Sequence, residues 1–295
     1  MYRISKDLAL IATLDFFPPI VDDPCAYGAI AAANALSDIY AMGGAPRLAM
    51  NIVSYPTGLG LDALNKILKG SAEKLKEAGV LLAGGHSIED KEIKYGLSVV
   101  GFADPGRITK ITGALPGDSL ILTKPVGVGM ITTALKRGVV KASEGAQAIK
   151  SMRALNKTAS EAMGVFGVKA ATDITGFGLI GHAMEMCEAS GVSLLIDSGS
   201  VGVFPAARRL AKDKANWPGA IRRNKAFYGK GVSMRVKDSS VEALLYGPET
   251  SGGLLISIPG SKAVVLVGLL NKKGVDARII GSVVRREKTW KIKVI

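Results

Sequence analysis

The sequence predicts an α+β protein with two domains. Between residues 8 and 102 the apolar pattern alternates in the order strand, helix, strand, helix, strand, strand, which is typical of a compact unit. The 295 residues are enough for two domains or one large one, and 48% of them are apolar, enough to build a full core. Near Asp104-Pro-Gly106 the pattern pauses, and the net charge changes from −3 over residues 1–104 to +16 over 105–295. We therefore predict domains at 1–105 and 106–295.

The elements of the first domain follow from periodicity and from residues that begin or end helices. Asp22 or Asp23 can cap the first helix, because Pro24 follows at a position that favours helix starts. Gly43-Gly44 ends this helix, and Gly79 ends the second. The predicted elements are a strand at 8–14, a helix at 26–42, a strand at 48–54, a helix at 61–78 and strands at 80–83 and 95–102.

Within the second domain, Pro116-Gly-Asp118 is a turn signal that leads into a new apolar strand. The predicted strands of this domain lie at 119–123, 168–171, 192–196, 253–258, 277–284 and 289–294. Its predicted helices lie at about 129–137, 144–164, 179–189 and 262–272. This order of strands and helices indicates an α/β-type domain.

Cysteine count, apolar runs and net charge limit the classes of protein to which this chain can belong. The two cysteines have no metal-ligand spacing and favour a reducing compartment, the cytoplasm. No run of 18 apolar residues predicts a membrane span, and the first residues do not resemble a signal peptide. The net charge of +13 indicates a Lys-rich solvated surface, a field that attracts anionic substrates, or nucleic-acid binding. No zinc finger or aromatic RNA-binding motif is present, so we predict no nucleic-acid partner. Because no apolar run is long enough to span a bilayer, we also predict no membrane partner.

Four aspartates and one asparagine lie within two dozen otherwise apolar residues, at Asp15, Asp22, Asp23, Asn34 and Asp38. Asn34 and Asp38 share one face of the predicted helix, since they are four residues apart. A buried carboxylate without a partner is costly, and hard divalent cations prefer oxygen ligands. The cluster therefore predicts a metal–nucleotide site, against the alternative of a polar helix face exposed to water.

Three glycine-rich segments could contact phosphate groups. The first is Ala83-Gly-Gly-His-Ser87, where backbone N–H groups and a hydroxyl follow a short strand; a plain turn is equally compatible. The second runs from Ala171 to His182, with Asp173 at a strand end before a glycine-rich helix start; the alternative is an Asx-turn, with His182 a core histidine. The third is the segment 247–255, which suits either an anion contact or a tight turn.

Together these segments resemble selenophosphate synthetase, the selenide, water dikinase family. The resemblance rests on segments that occur in family order along nearly the whole chain: Thr13-Leu-Asp-Phe-Phe-Pro-Pro-Ile-Val-Asp-Asp-Pro24, residues 32–44, Leu82-Ala-Gly-Gly-His-Ser-Ile88, residues 172–182 and Glu249-Thr-Ser-Gly-Gly-Leu254. It implies the two-domain architecture of the aminoimidazole ribonucleotide synthetase-like superfamily. In that architecture an N-terminal α/β sandwich carries a sheet that pairs with its copy in a homodimer.

The resemblance also implies an activity, in which ATP, selenide and water give selenophosphate, AMP and phosphate. By family analogy, Asp38 and Asp173 bind Mg²⁺ ions that bridge the ATP phosphates, and Asp15 and Asp38 contact the nucleotide or its metals. Residues Gly85, His86 and Ser87 are expected to reach ATP that is bound mainly by the other subunit. The cofactors implied are Mg²⁺ and ATP, the latter as substrate.

The chain departs from the family pattern at its start. Family members carry a reactive Cys or selenocysteine and a nearby Lys, which here are expected upstream of Met1, so we expect this chain to be inactive or impaired. Cys25 lies at a predicted helix start, where a small structural residue is the simpler interpretation. Gly247 stands where many members have Asp.

Three alternatives remain open from the sequence. The first is another ATP-dependent member of the superfamily, acting on a formyl-amidine or carbamoyl substrate. The second is a non-catalytic dimeric nucleotide-binding paralogue. The third is a basic RNA-binding module over 208–237, which holds ten Lys/Arg against one acid.

Overall fold

The computed structural model describes residues 1–141 and 143–295. The first domain has a five-stranded sheet in the order β1-β2-β5-β3-β4, in which only β3 and β4 pair in parallel. Its strands are β1 (Tyr2–Arg3), β2 (Ala9–Phe17), β3 (Ala45–Tyr55), β4 (Leu81–Glu89) and β5 (Lys94–Ala103). Two helices, α1 (Pro24–Ala41) and α2 (Asp62–Ala78), belong to this domain.

Helix α1 is almost entirely buried, and its position is fixed by very close packing on α2. The carboxylate of Asp23 caps α1 by accepting from the Cys25 N–H at 2.9 Å. A Cβ atom at Gly28 would lie 1.9 Å from the Ile67 carbonyl oxygen, and one at Gly70 would lie 2.0 Å from that of Cys25. Any side chain at these two glycines would force the helices apart, so α1 is a rigid support for the polar residues that it carries.

The second domain is built on a seven-stranded mixed sheet in the order β7-β10-β6-β11-β8-β12-β9. Its strands are β6 (Asp118–Leu122), β7 (Ala170–Asp173), β8 (Ser193–Ile196), β9 (Val232–Met234), β10 (Leu254–Pro259), β11 (Arg278–Val284) and β12 (Ile292–Val294). Its helices are α3 (Val128–Lys136), α4 (Ala142–Arg153), α5 (Lys157–Phe166), α6 (Gly178–Ser190), α7 (Pro205–Leu210), α8 (Gly219–Tyr228), α9 (Ser239–Leu245) and α10 (Gly260–Lys272). The predicted α+β class is confirmed.

Two elements differ from the sequence prediction. The helix predicted at 144–164 is interrupted after Arg153, where Ala154 is extended and the Asn156 side chain bonds to other segments. The strand predicted at 80–83 continues as β4 to Glu89, because residues 85–89 pair with β3 beyond a bulge at which Gly84 and Gly85 have positive φ angles. The short elements β9, α7, α8 and α9 were not predicted from the sequence.

None of the helices within the described residues combines the length and the apolar character that crossing a bilayer requires.

Candidate functional site

A cleft of about 500 Å³ opens where the first sheet and α1 meet the edge of the second sheet. Its polar lining comes from both domains: Thr13 and Asp38 from the first, and Lys110, Thr112, Thr172 and Asp173 from the second or the segment leading to it. The predicted metal residues Asp38 and Asp173 therefore face one cavity, although 135 positions of sequence separate them.

Strand β2 and helix α1 position the two acidic groups of the first domain. Successive side chains on a strand point to opposite faces, so Thr13 and Asp15 both face α1. Thr13 donates its hydroxyl hydrogen to Asp38 Oδ2, and Asn34 Nδ2 donates to Asp15 Oδ2 at 3.0 Å. These bonds tie β2 to one face of α1 and fix both carboxylates in orientation.

Asp173 ends strand β7 and is only 5% exposed. Burial and the negative charge of Asp38 raise its pKa to about 6, while the Ser37 hydroxyl and His182 act in the opposite direction. The pKa of Asp15 rises to about 7 through burial and through the charges of Asp38 and Asp173. The three carboxylates therefore repel one another, and a bound cation would relieve that repulsion.

The donor chemistry of the cleft fits Mg²⁺, whose ligands in proteins are oxygens. Within the described residues, no three His, Cys, Asp or Glu side chains come close enough together to hold a metal by themselves. Mg²⁺ is commonly bound by one or two carboxylates together with substrate phosphates, and a pair such as Asp38 and Asp173 would match the protein's share of such a site.

His182 behaves as a core histidine. It lies in α6, is buried, and accepts through Nε2 from the Thr175 N–H at 3.0 Å. This contact holds the turn that follows Asp173 and leaves Nε2 unavailable as a metal ligand.

The Gly85-His86-Ser87 segment lies elsewhere in this chain. It forms part of the exposed edge strand β4, and β5 and β3 separate it from β2, which carries Asp15. Three strand spacings correspond to about 14 Å. The structure therefore brings Asp15, Asp38 and Asp173 to one region and does not bring Gly85, His86 and Ser87 to it within one chain.

The turn at Ser251 and Gly252 lies directly behind the cleft, and buried side chains hold it. The amine of Lys124 donates to the carbonyl oxygens of Ser251 at 2.8 Å and Ala154 at 2.7 Å. Asn156 Nδ2 donates to the Gly252 carbonyl oxygen and to Ser37 Oγ, both at 2.9 Å. Burial lowers the pKa of Lys124 to about 7, although the nearby charge of Asp173 favours its protonated form.

Glu249 anchors the start of the same turn. Its two carboxylate oxygens accept from the N–H groups of Gly127 at 2.6 Å and Val128 at 3.0 Å, at the N-terminus of α3. Burial nevertheless raises the pKa of Glu249 to about 8. This contact makes the turn part of the rigid frame of the second domain.

The sequence did not lead us to predict that Lys124 and Asn156 hold the turn at Ser251 and Gly252. Lys124 did carry a signal, because it is a single charged residue between an apolar strand and Pro125. Asn156 carried none, since polar residues are ordinary within the helix that was predicted there.

Ser251 is strained. Its φ angle of 49° makes it the only non-glycine residue with positive φ in the described chain, and its buried hydroxyl has no hydrogen-bond partner. We expect Ser251→Gly to stabilise the protein by about 1 kcal/mol, because glycine adopts this conformation freely and leaves no buried hydroxyl unpaired. Thermal unfolding measures the change. Ser143→Gly, in the exposed first turn of α4, should instead destabilise, and a loss of stability in Ser251→Gly would contradict this account.

Comparison with known proteins identifies the family. A model described as AIR synthase related protein, N-terminal domain, matches residues 1–103, and its C-terminal counterpart matches residues 116–291. The selenide, water dikinase of Caldanaerobacter subterraneus subsp. tengcongensis is 47% identical over 289 residues, which cover 98% of this chain and 83% of that protein. The chain belongs to the selenide, water dikinase family.

Solved structures show the fold that this dikinase family shares with more distant proteins. Thiamine-monophosphate kinase from Stenotrophomonas maltophilia K279a superposes with a TM-score of 0.77 at 17% identity, over 98% of this chain and 85% of that one. The hydrogenase maturation protein HypE in complex with ATP superposes with a TM-score of 0.69 at 18% identity, over 97% of this chain and 79% of that one. The two family models confirm the predicted two-domain architecture of the aminoimidazole ribonucleotide synthetase-like superfamily, and these structures share the fold.

Proposed function

We propose that this protein catalyses the ATP-dependent synthesis of selenophosphate from selenide and water, with release of AMP and phosphate. The observation that carries the proposal is the 47% identity to a selenide, water dikinase over almost the whole chain. The cleft supports it, because carboxylates from both domains converge there and oxygen ligands suit a Mg²⁺-nucleotide.

We assign Asp38 and Asp173 as Mg²⁺ ligands and Asp15 as a residue that contacts the nucleotide or its metals. The raised pKa values of Asp15 and Asp173 support this assignment, since a cation would stabilise both ionised forms. When bound, Mg²⁺ would offset triphosphate charge as phosphoryl groups leave. The hydrogen bonds from Thr13 to Asp38 and from Asn34 to Asp15 fix the orientation of these two carboxylates.

We propose that the protein is a homodimer formed through the open face of the first sheet. Leu14 and Phe16 on β2 are 56% and 49% exposed, and Met50 on β3 extends the same apolar face, because Leu14 and Met50 both pair with Ser98. An apolar sheet face of this kind is typical of an interface. In such a dimer Gly85, His86 and Ser87 of one subunit are proposed to reach the nucleotide of the other.

We expect Leu14→Lys to convert the dimer into monomers, because it places a charge in the centre of the proposed interface. Light scattering coupled to size-exclusion chromatography measures the molar mass. Val165→Lys on α5 is a matched control, since Val165 is 80% exposed and lies in the second domain. A monomeric parent protein, or a Leu14→Lys variant that remains dimeric, would contradict the interface.

We also propose where the domains divide and in which compartment the protein works. The proposed domain boundary is near residue 105, in the segment between β5 and β6. The setting is the cytoplasm, because Cys25 and Cys187 are both free thiols in this fold.

Nucleotide analysis tests the reaction. Incubation with Mg-ATP and selenide under anaerobic, reducing conditions should yield AMP in an amount that depends on selenide. The rate should be well below that of the dikinase that is 47% identical, and an equal rate would contradict the impairment expected from the sequence. ADP as the product, formed without dependence on selenide, would favour the alternative of another ATP-dependent member of the superfamily. Nucleotide binding without turnover would favour a non-catalytic paralogue.

A further inference from the structure

Asn34 makes two polar contacts that join the two domains behind the cleft. It lies on α1 and is 5% exposed. Its Nδ2 donates to Asp15 Oδ2 at 3.0 Å, and its Oδ1 accepts from the Ser251 N–H at 2.8 Å. One amide therefore connects a carboxylate of the first domain to the turn of the second.

Main-chain contacts also link the turn at Ser251 and Gly252 to Asp173. The Ile174 N–H donates to the Gly253 carbonyl oxygen at 2.9 Å, and Leu254 pairs with Asp173 in the β10–β7 ladder. A Cβ atom at Gly252 would lie 2.2 Å from the Ile174 carbonyl oxygen, so the two segments are in close contact. A displacement of the turn must therefore displace the end of β7, where Asp173 lies.

The backbone of the turn has no freedom to relax on its own. Lys124 and Asn156 hold the carbonyl oxygens of Ser251 and Gly252, while Asn34 holds the Ser251 N–H. Among the hydrogen bonds of the described residues, the one from the Ser251 N–H to Asn34 Oδ1 links this backbone directly to the first domain. A strained backbone conformation such as that of Ser251 persists when many surrounding contacts hold it in place, and such conformations cluster at functional sites.

We propose that Asn34 is a positioning residue that sets the separation between Asp173 and the carboxylates of the first domain for Mg-ATP binding. This inference rests on the proposed function. Asn34 touches neither metal nor nucleotide in this role. It acts through Asp15 on one side and through the Ser251 turn on the other.

The position requires a side chain that both donates and accepts hydrogen bonds. Aspartate has the same shape and can still accept from the Ser251 N–H, but it cannot donate to Asp15 and places a second carboxylate beside it. Leucine has a similar volume and makes neither bond. The two substitutions therefore separate the contact to Asp15 from the contact to Ser251.

The experiment measures ATP binding by calorimetry at a series of Mg²⁺ concentrations, using the full chain. Hydrogen bonds to charged groups are strong enough that their loss costs about tenfold in an equilibrium constant. We expect Asn34→Asp and Asn34→Leu each to raise the Mg²⁺ concentration for half-maximal ATP binding by about tenfold or more. Asn65→Asp, at an exposed site on α2, should leave it unchanged.

Circular dichroism and thermal unfolding of the same variants distinguish a residue that positions the carboxylates from one that the fold needs for its stability. Variants that are folded at the assay temperature and keep the parental Mg²⁺ dependence would overturn the proposal, as would failure of both variants to fold. If the parent protein itself binds no Mg-ATP, the proposed function fails instead, which separates the two results.

Discussion

Asp173→Asn should weaken Mg-ATP binding by about 100-fold or more while leaving the protein folded. Loss of a residue that merely supports a metal ligand costs 10- to 100-fold, so loss of a ligand should cost at least as much. Folding should survive because Asn has the shape of Asp and removes a buried charge that Asp38 repels. Calorimetry with Mg-ATP measures the affinity, and thermal unfolding verifies the fold.

Asp38→Asn should give the same result from the other domain. Asp62→Asn is the matched control, since Asp62 is exposed in the first turn of α2, away from the cleft. Unchanged nucleotide affinity in both Asp38→Asn and Asp173→Asn would remove these residues from the metal site. A loss in only one of them would place the metal in one domain alone.

Lys124→Met should destabilise the protein by about 3 kcal/mol. Methionine fills a similar volume, but the carbonyl oxygens of Ala154 and Ser251 lose their shared donor in a buried region. Asp173 also loses a nearby positive charge that favours its ionised form. Chemical denaturation measures the change in the free energy of unfolding.

Lys150→Met on α4 provides the control for Lys124→Met. Lys150 is exposed, so its replacement should change the free energy of unfolding by less than about 0.5 kcal/mol. Equal stability of Lys124→Met and the parent protein would show that the hydrogen bonds of the buried amine do not stabilise the turn behind the cleft.

Much of this fold could be predicted because local signals and tertiary structure agree. Asp23 and Pro24 begin α1 as their types indicate, and Gly79 ends α2 in a left-handed conformation. The meeting of Asp38 and Asp173 in one cleft was also predictable, because the resemblance covers both segments. The assignment of the two residues to a metal remains a prediction.

The remaining features depend on contacts between distant residues. The break between α4 and α5 has no proline or glycine, and it forms where Asn156 bonds to Ser37 and Gly252. The extension of β4 through Gly85 depends on pairing with β3, which a local pattern does not contain. The position of Asn34 between two domains likewise follows only from the packing of those domains.

The formation of a phosphorus–selenium bond is the central claim, and phosphorus NMR of the complete reaction tests it most directly. With ATP, Mg²⁺ and ⁷⁷Se-enriched selenide, we expect a new phosphorus resonance split by coupling to selenium, together with AMP and orthophosphate in equal amounts. The Asp173→Asn variant should show none of these products above background. Consumption of ATP without a selenium-coupled resonance would contradict the assignment of selenophosphate as the product.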